Sequence, residues 1–220
     1  DPTNAYDLNS AAATLGQMFF WDKQFSGDII VQGNRAAAFA PKTDNSSAKQ
    51  INCVACHDPS YGWADGATKP NDVSLGANFT SRNAPTILNT AKNTYSLWDG
   101  ASDTLWGVAR PPIEGGPHNF SRAGVAYVIC NSNATIGTYT GGKADYLGRY
   151  TAIFGAPTCT DSATAPSNGN SYGRSLYTGS VITNGNVDRI FANFAKSIAA
   201  YERLIVSKNS AFDQWANGNE

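Results

Sequence analysis

The clearest pattern of hydrophobic and polar positions lies near the end of the chain. Large apolar residues recur there at spacings of three and four, the period of one face of an α-helix. They are Val187, Ile190, Phe191, Phe194, Ile198, Tyr201 and Ile205. The pattern predicts a long helix whose apolar face belongs to the core.

A second helical pattern opens the chain. In Ser10–Trp21, "SAAATLGQMFFW", the residues Ala12, Leu15 and Phe19 fall on one helical face, and Ser10 can cap the helix. Shorter helices are predicted at 83–93, 102–108, 121–130 and 143–154. Pro85 suits the start of the first of these, and the prolines of "RPPIEGGP" are expected to end the second, because proline cannot continue a helix.

The remaining segments are polar and rich in turn residues. Residues 29–50, 65–83 and 158–186 contain few large apolar side chains and many glycine, serine, asparagine and threonine residues, which is typical of loops. The pattern therefore predicts a mainly α fold with short helices and long loops.

Composition narrows the class of protein. The chain has 220 residues, which suggests one domain over 1–220, and its net charge is −1 with 15% charged residues. No basic field indicates nucleic acid, and no apolar run approaches the length of a transmembrane helix. The chain opens without a signal peptide, so we interpret Asp1 as a mature N-terminus. We expect an exported protein, periplasmic or extracellular.

Four cysteines occur, and two of them stand in one motif. The other two, Cys130 and Cys159, fit a disulfide that closes a loop of about thirty residues; the alternative is two unrelated free thiols. A disulfide agrees with an oxidising compartment.

The motif is Cys53–His57 within "INCVACHDP". C-x-x-C-H attaches c-type haem: both thiols add to the haem vinyl groups, and the adjoining histidine becomes the proximal iron ligand. A C-x-x-C redox pair does not need the histidine, and a zinc site needs two further ligands in a chain with few candidates. The motif predicts one covalently bound haem c on Cys53, Cys56 and His57.

The sixth iron ligand is then a matter of counting. Beyond His57 the chain has one histidine, His118, and one methionine, Met18. Met18 lies in an aromatic helix, where methionine is usually core filler, whereas His118 lies in a proline- and glycine-rich loop. The alternatives for the sixth iron ligand are His118, Met18, water or no ligand.

Several segments together resemble the N-terminal haem domain of the bacterial dihaem cytochrome c peroxidase and MauG family. They occur in family order and span nearly the whole chain: "LGQMFFWD", "FSGD", "INCVACHDPSYGWADG", "SRNAPTILN", "LWDGASDTL", "PPIEGGP" and "FAKSIAAYERLIVSKNSAFDQW". The resemblance implies a cytochrome c-like haem domain. It also implies that Trp98 matches a tryptophan between the two family haems, an electron conduit or a simple packing residue. Asn83 matches an asparagine that helps to bind calcium.

The departures from the family pattern affect function. The second haem domain, with the other calcium ligands, would begin where the chain ends at Glu220, so we expect a single haem domain and an incomplete calcium site. The family's peroxide-handling glutamine and glutamate align with Val108 and His118, and its switchable distal histidine falls near Ala77.

Three functions follow. The first is an electron-transfer cytochrome with iron held by His57 and His118, which serves redox partner proteins and is not an enzyme. The second is a cytochrome c peroxidase-like enzyme in which His118 is the distal base and an external donor supplies electrons. The third is a haem-bearing subunit of a homo-oligomer or filament. We rank electron transfer first.

Overall fold

The computed structural model describes residues 1–27, 51–66, 73–132, 138–139, 142–143, 145–159 and 185–218. The fold is mainly α, as predicted. Its α-helices in the described residues are α1 (Ser10–Trp21), α2 (Arg110–Glu114), α3 (Arg122–Cys130), α4 (Tyr146–Phe154), α5 (Gly185–Glu202) and α6 (Ala211–Ala216). A short antiparallel ladder joins β1 (Thr138–Tyr139) to β2 (Gly142–Lys143), and no strand was predicted there.

Short 3-10 helices connect these elements. They lie at Lys23–Phe25, Cys53–Ala55, Pro59–Tyr61, Thr90–Lys92 and Trp106–Ala109. None of the described helices combines the length and apolarity that a bilayer crossing needs.

The centre of the fold is the crossing of α1 and α5. All seven residues of the predicted C-terminal apolar stripe are buried, and they pack with α1, α3 and α4 in one core. The two helices meet at Gly16, where a Cβ would lie 1.8 Å from the Ser197 carbonyl oxygen. α1 also contacts the Cys53–Ala55 turn.

Helix boundaries followed the sequence with small shifts. α1 has the predicted bounds, but its N-cap is Asn9, whose side chain accepts from the Ala12 N–H at 2.9 Å. α3 begins at Arg122, one residue after the predicted start, and is capped by Ser121. α4 begins at Tyr146, after its cap Asp145.

Three predictions were wrong. Residues 102–105 of the helix predicted at 102–108 are not helical, and a 3-10 helix at Trp106–Ala109 follows them. Residues 83–89 are not helical, because their polar groups pair with the segment after the cysteine motif: the Ile87 N–H donates to the Trp63 carbonyl at 3.2 Å. The prolines of "RPPIEGGP" do not end a helix but occupy the first turn of α2, where a missing N–H costs no intrahelical bond. Most of the predicted loops at 29–50 and 158–186 lies outside the described residues.

A disulfide joins Cys130, the last residue of α3, to Cys159, with the two Cα atoms 5.6 Å apart. The disulfide predicted from the sequence is thereby confirmed.

We expect the double substitution Cys130→Ser and Cys159→Ser to lower the free energy of unfolding by about 3–4 kcal/mol, because the unfolded chain regains the freedom of a loop of this length. Chemical denaturation with and without reductant measures it. Reductant should weaken the wild-type protein and leave the double variant unchanged; equal responses would contradict the prediction.

Candidate haem-binding site

The motif cysteines lie on one tight turn. Cys53 opens a 3-10 helix, and its carbonyl accepts from the N–H groups of Cys56 at 3.1 Å and His57 at 3.0 Å. Cys53 is half-buried, Cys56 is buried, and neither forms a disulfide. The turn therefore presents two thiols and one imidazole together from five consecutive residues.

The segment after the motif orients the His57 ring. Asp58 caps the Pro59–Tyr61 turn, and Gly62 follows in a left-handed conformation with φ of 64°. This turn brings the Trp63 carbonyl back to His57, whose Nδ1 lies 3.2 Å from that oxygen. An Nδ1–H that donates to a carbonyl puts the ring's lone pair on Nε2, which is the arrangement of a metal-binding histidine.

His118 is brought to the same place from 65 residues along the chain. Its side chain is 4% exposed, its Nδ1 lies 3.0 Å from the Phe25 carbonyl oxygen, and its Nε2 lies 3.8 Å from the Cys53 sulfur. The Phe25 contact assigns the proton to Nδ1 and directs the lone pair of Nε2 toward the motif. The structure thus brings both histidines to one site.

The backbone around His118 is held from three sides. The His118 N–H donates to Pro112 at 2.9 Å, and the Gly27 N–H donates to the His118 carbonyl at 2.8 Å. The Ala77 N–H donates to the Pro117 carbonyl at 2.6 Å, so the segment around Ala77 supports the His118 loop through its backbone. The imidazole is therefore positioned by a rigid loop.

Burial sets the protonation of His118. Desolvation, with a smaller contribution from nearby His57, lowers the pKa of His118 to about 4, against the opposing effect of the Phe25 carbonyl. A neutral imidazole at neutral pH is the form that can coordinate iron or accept a proton.

The other predicted site residues lie elsewhere. Met18 is 7% exposed in the apolar core of α1, the position of a packing residue. Trp98 is 65% exposed, and its indole N–H donates to the Asn83 carbonyl at 2.8 Å. The Asn83 side-chain amide donates to the Asp65 carbonyl at 3.0 Å, which links Trp98 to the end of the motif segment.

An aromatic wall lies beside the motif. The ring centroid of Phe20 is 6.2 Å from that of His57, 6.3 Å from Trp63 and 5.4 Å from Tyr201. The periodicity of α5 predicted Tyr201 only as a general core position, and Phe20 was not among the residues assigned to the apolar face of α1. Their common contact with the histidine depends on the crossing of the two helices.

Sequence reasoning missed Glu202. It is the last residue of α5 and is buried, and its carboxyl lies close enough to raise the pKa of the Cys53 thiol, second to the effect of burial. Burial raises the pKa of Glu202 to about 8. A charged residue between apolar positions of a helix stripe was the signal that could have pointed to it.

Glu202 should make stability depend on pH. Its pKa is about 4.5 in an unfolded chain and about 8 in the fold, so the folded protein binds the extra proton between these values and loses stability as pH rises through this window. We expect Glu202→Gln to remove this loss, a gain on the order of 4 kcal/mol above pH 8. Urea denaturation at pH 5 and pH 9 measures it. A variant that is no more stable than wild type at pH 9 would contradict the assignment.

The donor set fits a c-type haem. The site holds two neighbouring thiols, the adjoining histidine and a second, neutral imidazole that faces the same turn. These are the groups that attach haem and ligate its iron. In the described parts of the chain, no three histidine, cysteine, aspartate or glutamate side chains are grouped as a metal-ion site.

Comparison with known proteins identifies the family of the chain. The sequence profile described as di-haem cytochrome c peroxidase matches residues 10–220. Cytochrome c551 peroxidase of Nitrosomonas europaea is 24% identical over 96% of this chain and 45% of its own length. The methylamine utilization protein MauG of Methylorubrum extorquens is 39% identical over 36% of this chain and 21% of its own length.

A solved structure shows the same fold. A MauG-like protein associated with microbial copper homeostasis superposes with a TM-score of 0.60 at 21% identity, covering all of this chain and 47% of the other. The chain thus spans less than half the length of these relatives. The profile match over residues 10–220 shows that the chain belongs to the di-haem cytochrome c peroxidase family, whose members carry c-type haem.

Proposed function

We propose that this chain is a c-type cytochrome domain that transfers electrons. In this proposal Cys53 and Cys56 hold one haem covalently, and His57 and His118 are its axial ligands. The observation that carries it is the placement of the buried His118, whose Nε2 faces the motif turn at 3.8 Å from the Cys53 sulfur. A bound haem supplies one-electron exchange at its iron.

The protein's own contribution is to hold these ligands still. The Trp63 carbonyl fixes the tautomer of His57, and the Phe25 carbonyl fixes that of His118. The backbone bonds of the His118 loop limit its movement, and the buried Phe20 ring lies beside His57. Fixed ligands suit electron transfer, because little has to rearrange between the two oxidation states.

The spin state of the purified ferric protein tests the proposal. We expect a low-spin electron paramagnetic resonance spectrum at neutral pH, since two imidazoles are strong ligands. Intact mass should show the chain plus one haem, because 1–220 contains a single C-x-x-C-H. A high-spin spectrum would show an open iron position and would contradict the bis-histidine proposal, while a chain mass without haem would contradict the cofactor.

The family supports a second candidate, a haem peroxidase. His118 stays neutral at neutral pH because burial lowers its pKa to about 4, and a neutral imidazole off the iron could accept a proton from peroxide. Steady-state peroxide turnover with a small reductant separates the two. A rate well above that of free haem that is lost in His118→Ala supports the peroxidase, and a rate equal to free haem excludes it.

A redox partner protein is part of either proposal. Trp98 is exposed and forms a hydrogen bond to Asn83, and it is the candidate contact for such a partner.

The exposed side chains of Tyr95 and Trp98 are also candidate contacts in a homo-oligomer. Sedimentation velocity tests this third function: a monomer at high concentration would exclude it. The disulfide and the c-type haem family favour an exported, periplasmic setting.

A further inference from the structure

The loop that carries His118 connects two helices. It follows Glu114, the last residue of α2, and precedes Arg122, the first residue of α3. The backbone N–H groups of residues 118–120 donate to carbonyls within residues 112–115 at 2.8–2.9 Å. The loop is thus closed on itself, with a charged side chain at each end at an equal distance in sequence from His118.

Glu114 and Arg122 join the two ends of this loop. The Arg122 guanidinium donates from Nε to Oε1 of Glu114 at 2.5 Å and from a terminal nitrogen to Oε2 at 2.9 Å. Its other terminal nitrogen donates to Oδ1 of Asp188 at 2.6 Å, in the first turn of α5. Its central carbon lies 5.6 Å from the centroid of the Phe191 ring. We call Glu114, Arg122 and Asp188 the clamp, because they close the loop and fasten it to the central helix.

The clamp is partly shielded from water. The side chains of Arg122 and Glu114 are 24% and 18% exposed, whereas those of the surface pair Arg82 and Asp99 are 55% and 48% exposed. Exposed ion pairs contribute little, because water and salt screen them. A two-pronged contact between an arginine and a carboxylate fixes both distance and orientation. The clamp is therefore able to restrain the loop.

Stabilisation of the two helices does not account for these charges. Glu114 stands at the C-terminal end of α2 and Arg122 at the N-terminal end of α3, where each helix dipole disfavours a charge of that sign. α3 already has a cap, because the Ser121 side chain accepts from the Gly124 N–H at 3.0 Å. The arrangement favours the loop between the two charges rather than the helices that carry them.

We propose that Arg122, held by Glu114 and Asp188, is a positioning residue that keeps His118 on the haem iron. This rests on the proposed function. While the clamp is closed, the ends of the loop cannot separate, and Nε2 of His118 stays directed toward the motif turn. When the clamp is broken, the His118 imidazole leaves the sixth position more often. A small external ligand can then replace it, one nitrogen donor for another, with no change in oxidation state. The clamp thus sets how accessible the site is to small molecules.

Stopped-flow mixing of the ferric holoprotein with imidazole tests this. At saturating imidazole, the observed rate reaches a limit that is set by the departure of His118 from the iron. We expect Glu114→Gln and Arg122→Gln each to raise this limiting rate about tenfold, which corresponds to about 1.4 kcal/mol. The double variant should be no faster than the faster single variant, because both substitutions remove the same contact.

Asp7→Asn is the matched control. Asp7 and Arg203 form an ion pair of similarly low exposure, 10% and 23%, outside the His118 loop. Its loss should lower stability and leave the limiting rate unchanged, which separates positioning from a general loss of stability. Arg122→Lys keeps the charge without the two-pronged contact, and its rate should fall between those of wild type and Arg122→Gln.

Equal limiting rates in the wild type and both glutamine variants would overturn the proposal, as would an equal acceleration in Asp7→Asn. If the glutamine variants do not fold, Arg122→Lys decides: a rate above wild type supports the clamp, and an unchanged rate overturns it. Hydrogen–deuterium exchange of residues 115–121 gives a readout without added ligand, and it should be faster in the clamp variants than in wild type or Asp7→Asn.

The spin state of the wild type keeps the two proposals apart. A low-spin ferric spectrum with unchanged rates in the clamp variants would overturn the role of Arg122 alone. A high-spin spectrum would contradict the bis-histidine proposal, and the role of Arg122 would be refuted with it.

Discussion

Replacing His118 by alanine should convert the ferric protein from low spin to high spin. Because the His118 Nε2 faces the motif turn and its Nδ1 is tied to the Phe25 carbonyl, removal of the ring leaves the iron with His57 as its axial ligand from this site. Added imidazole should restore the low-spin spectrum, since it can enter the volume that the side chain vacates. Optical and electron paramagnetic resonance spectra of variant and wild type measure the change.

Met18→Leu is the matched control for this experiment. Met18 is the single methionine of the chain and is buried in the core, so a leucine of similar volume should keep the low-spin spectrum and cost less than about 1.5 kcal/mol of stability. A spectral change in Met18→Leu, together with an unchanged spectrum in His118→Ala, would assign the sixth ligand to methionine and refute the histidine.

Replacing Gly16 by valine should destabilise the protein by about 3 kcal/mol or more. A Cβ at this position would lie 1.8 Å from the Ser197 carbonyl oxygen and 2.8 Å from the Ile198 nitrogen. Backbone atoms of α5 cannot move aside as a side chain can, so the two helices must separate and the core between them opens. The free energy of unfolding from urea denaturation measures the loss.

Thr14→Ala provides the comparison on the same helix. Thr14 is exposed on α1, and its hydroxyl bonds only to the preceding turn, at the Ser10 carbonyl. Its removal should change stability by no more than about 0.5 kcal/mol. If Gly16→Val were as mild as Thr14→Ala, the close crossing of α1 and α5 would not be a feature of the folded protein.

The sequence identified the parts of the fold that are governed by local pattern. The stripe from Val187 to Ile205 required a helix with one buried face, because 3.6-residue periodicity has no other common use. The bounds of α1 and the end of α3 at Cys130 followed from nearby residues in the same way. The helix prediction for residues 83–89 was wrong because the hydrogen-bond partners of this segment lie some 24 residues upstream, at Gly62 and Trp63.

The same difference between local and long-range determinants separates the haem motif from the residues around it. Cys53, Cys56 and His57 act within one turn, so their spacing alone predicts the attachment of haem. His118 was found in the sequence by counting, but its role could not be assigned there, because the distance to Cys53 depends on three loops that meet through backbone hydrogen bonds. No sequence motif pointed to Glu202.

The sequence by itself determined the helical class and the covalent haem motif, and it indicated the family and the disulfide pairing that the comparisons and the structure then showed. Each of these is encoded by residues that are close in sequence or by the small number of candidates. Only the tertiary structure decided which imidazole faces the motif and which carboxyl is buried beside it. Both depend on burial and on contacts between distant segments, which are set by the crossing of α1 and α5 and by the loop around His118.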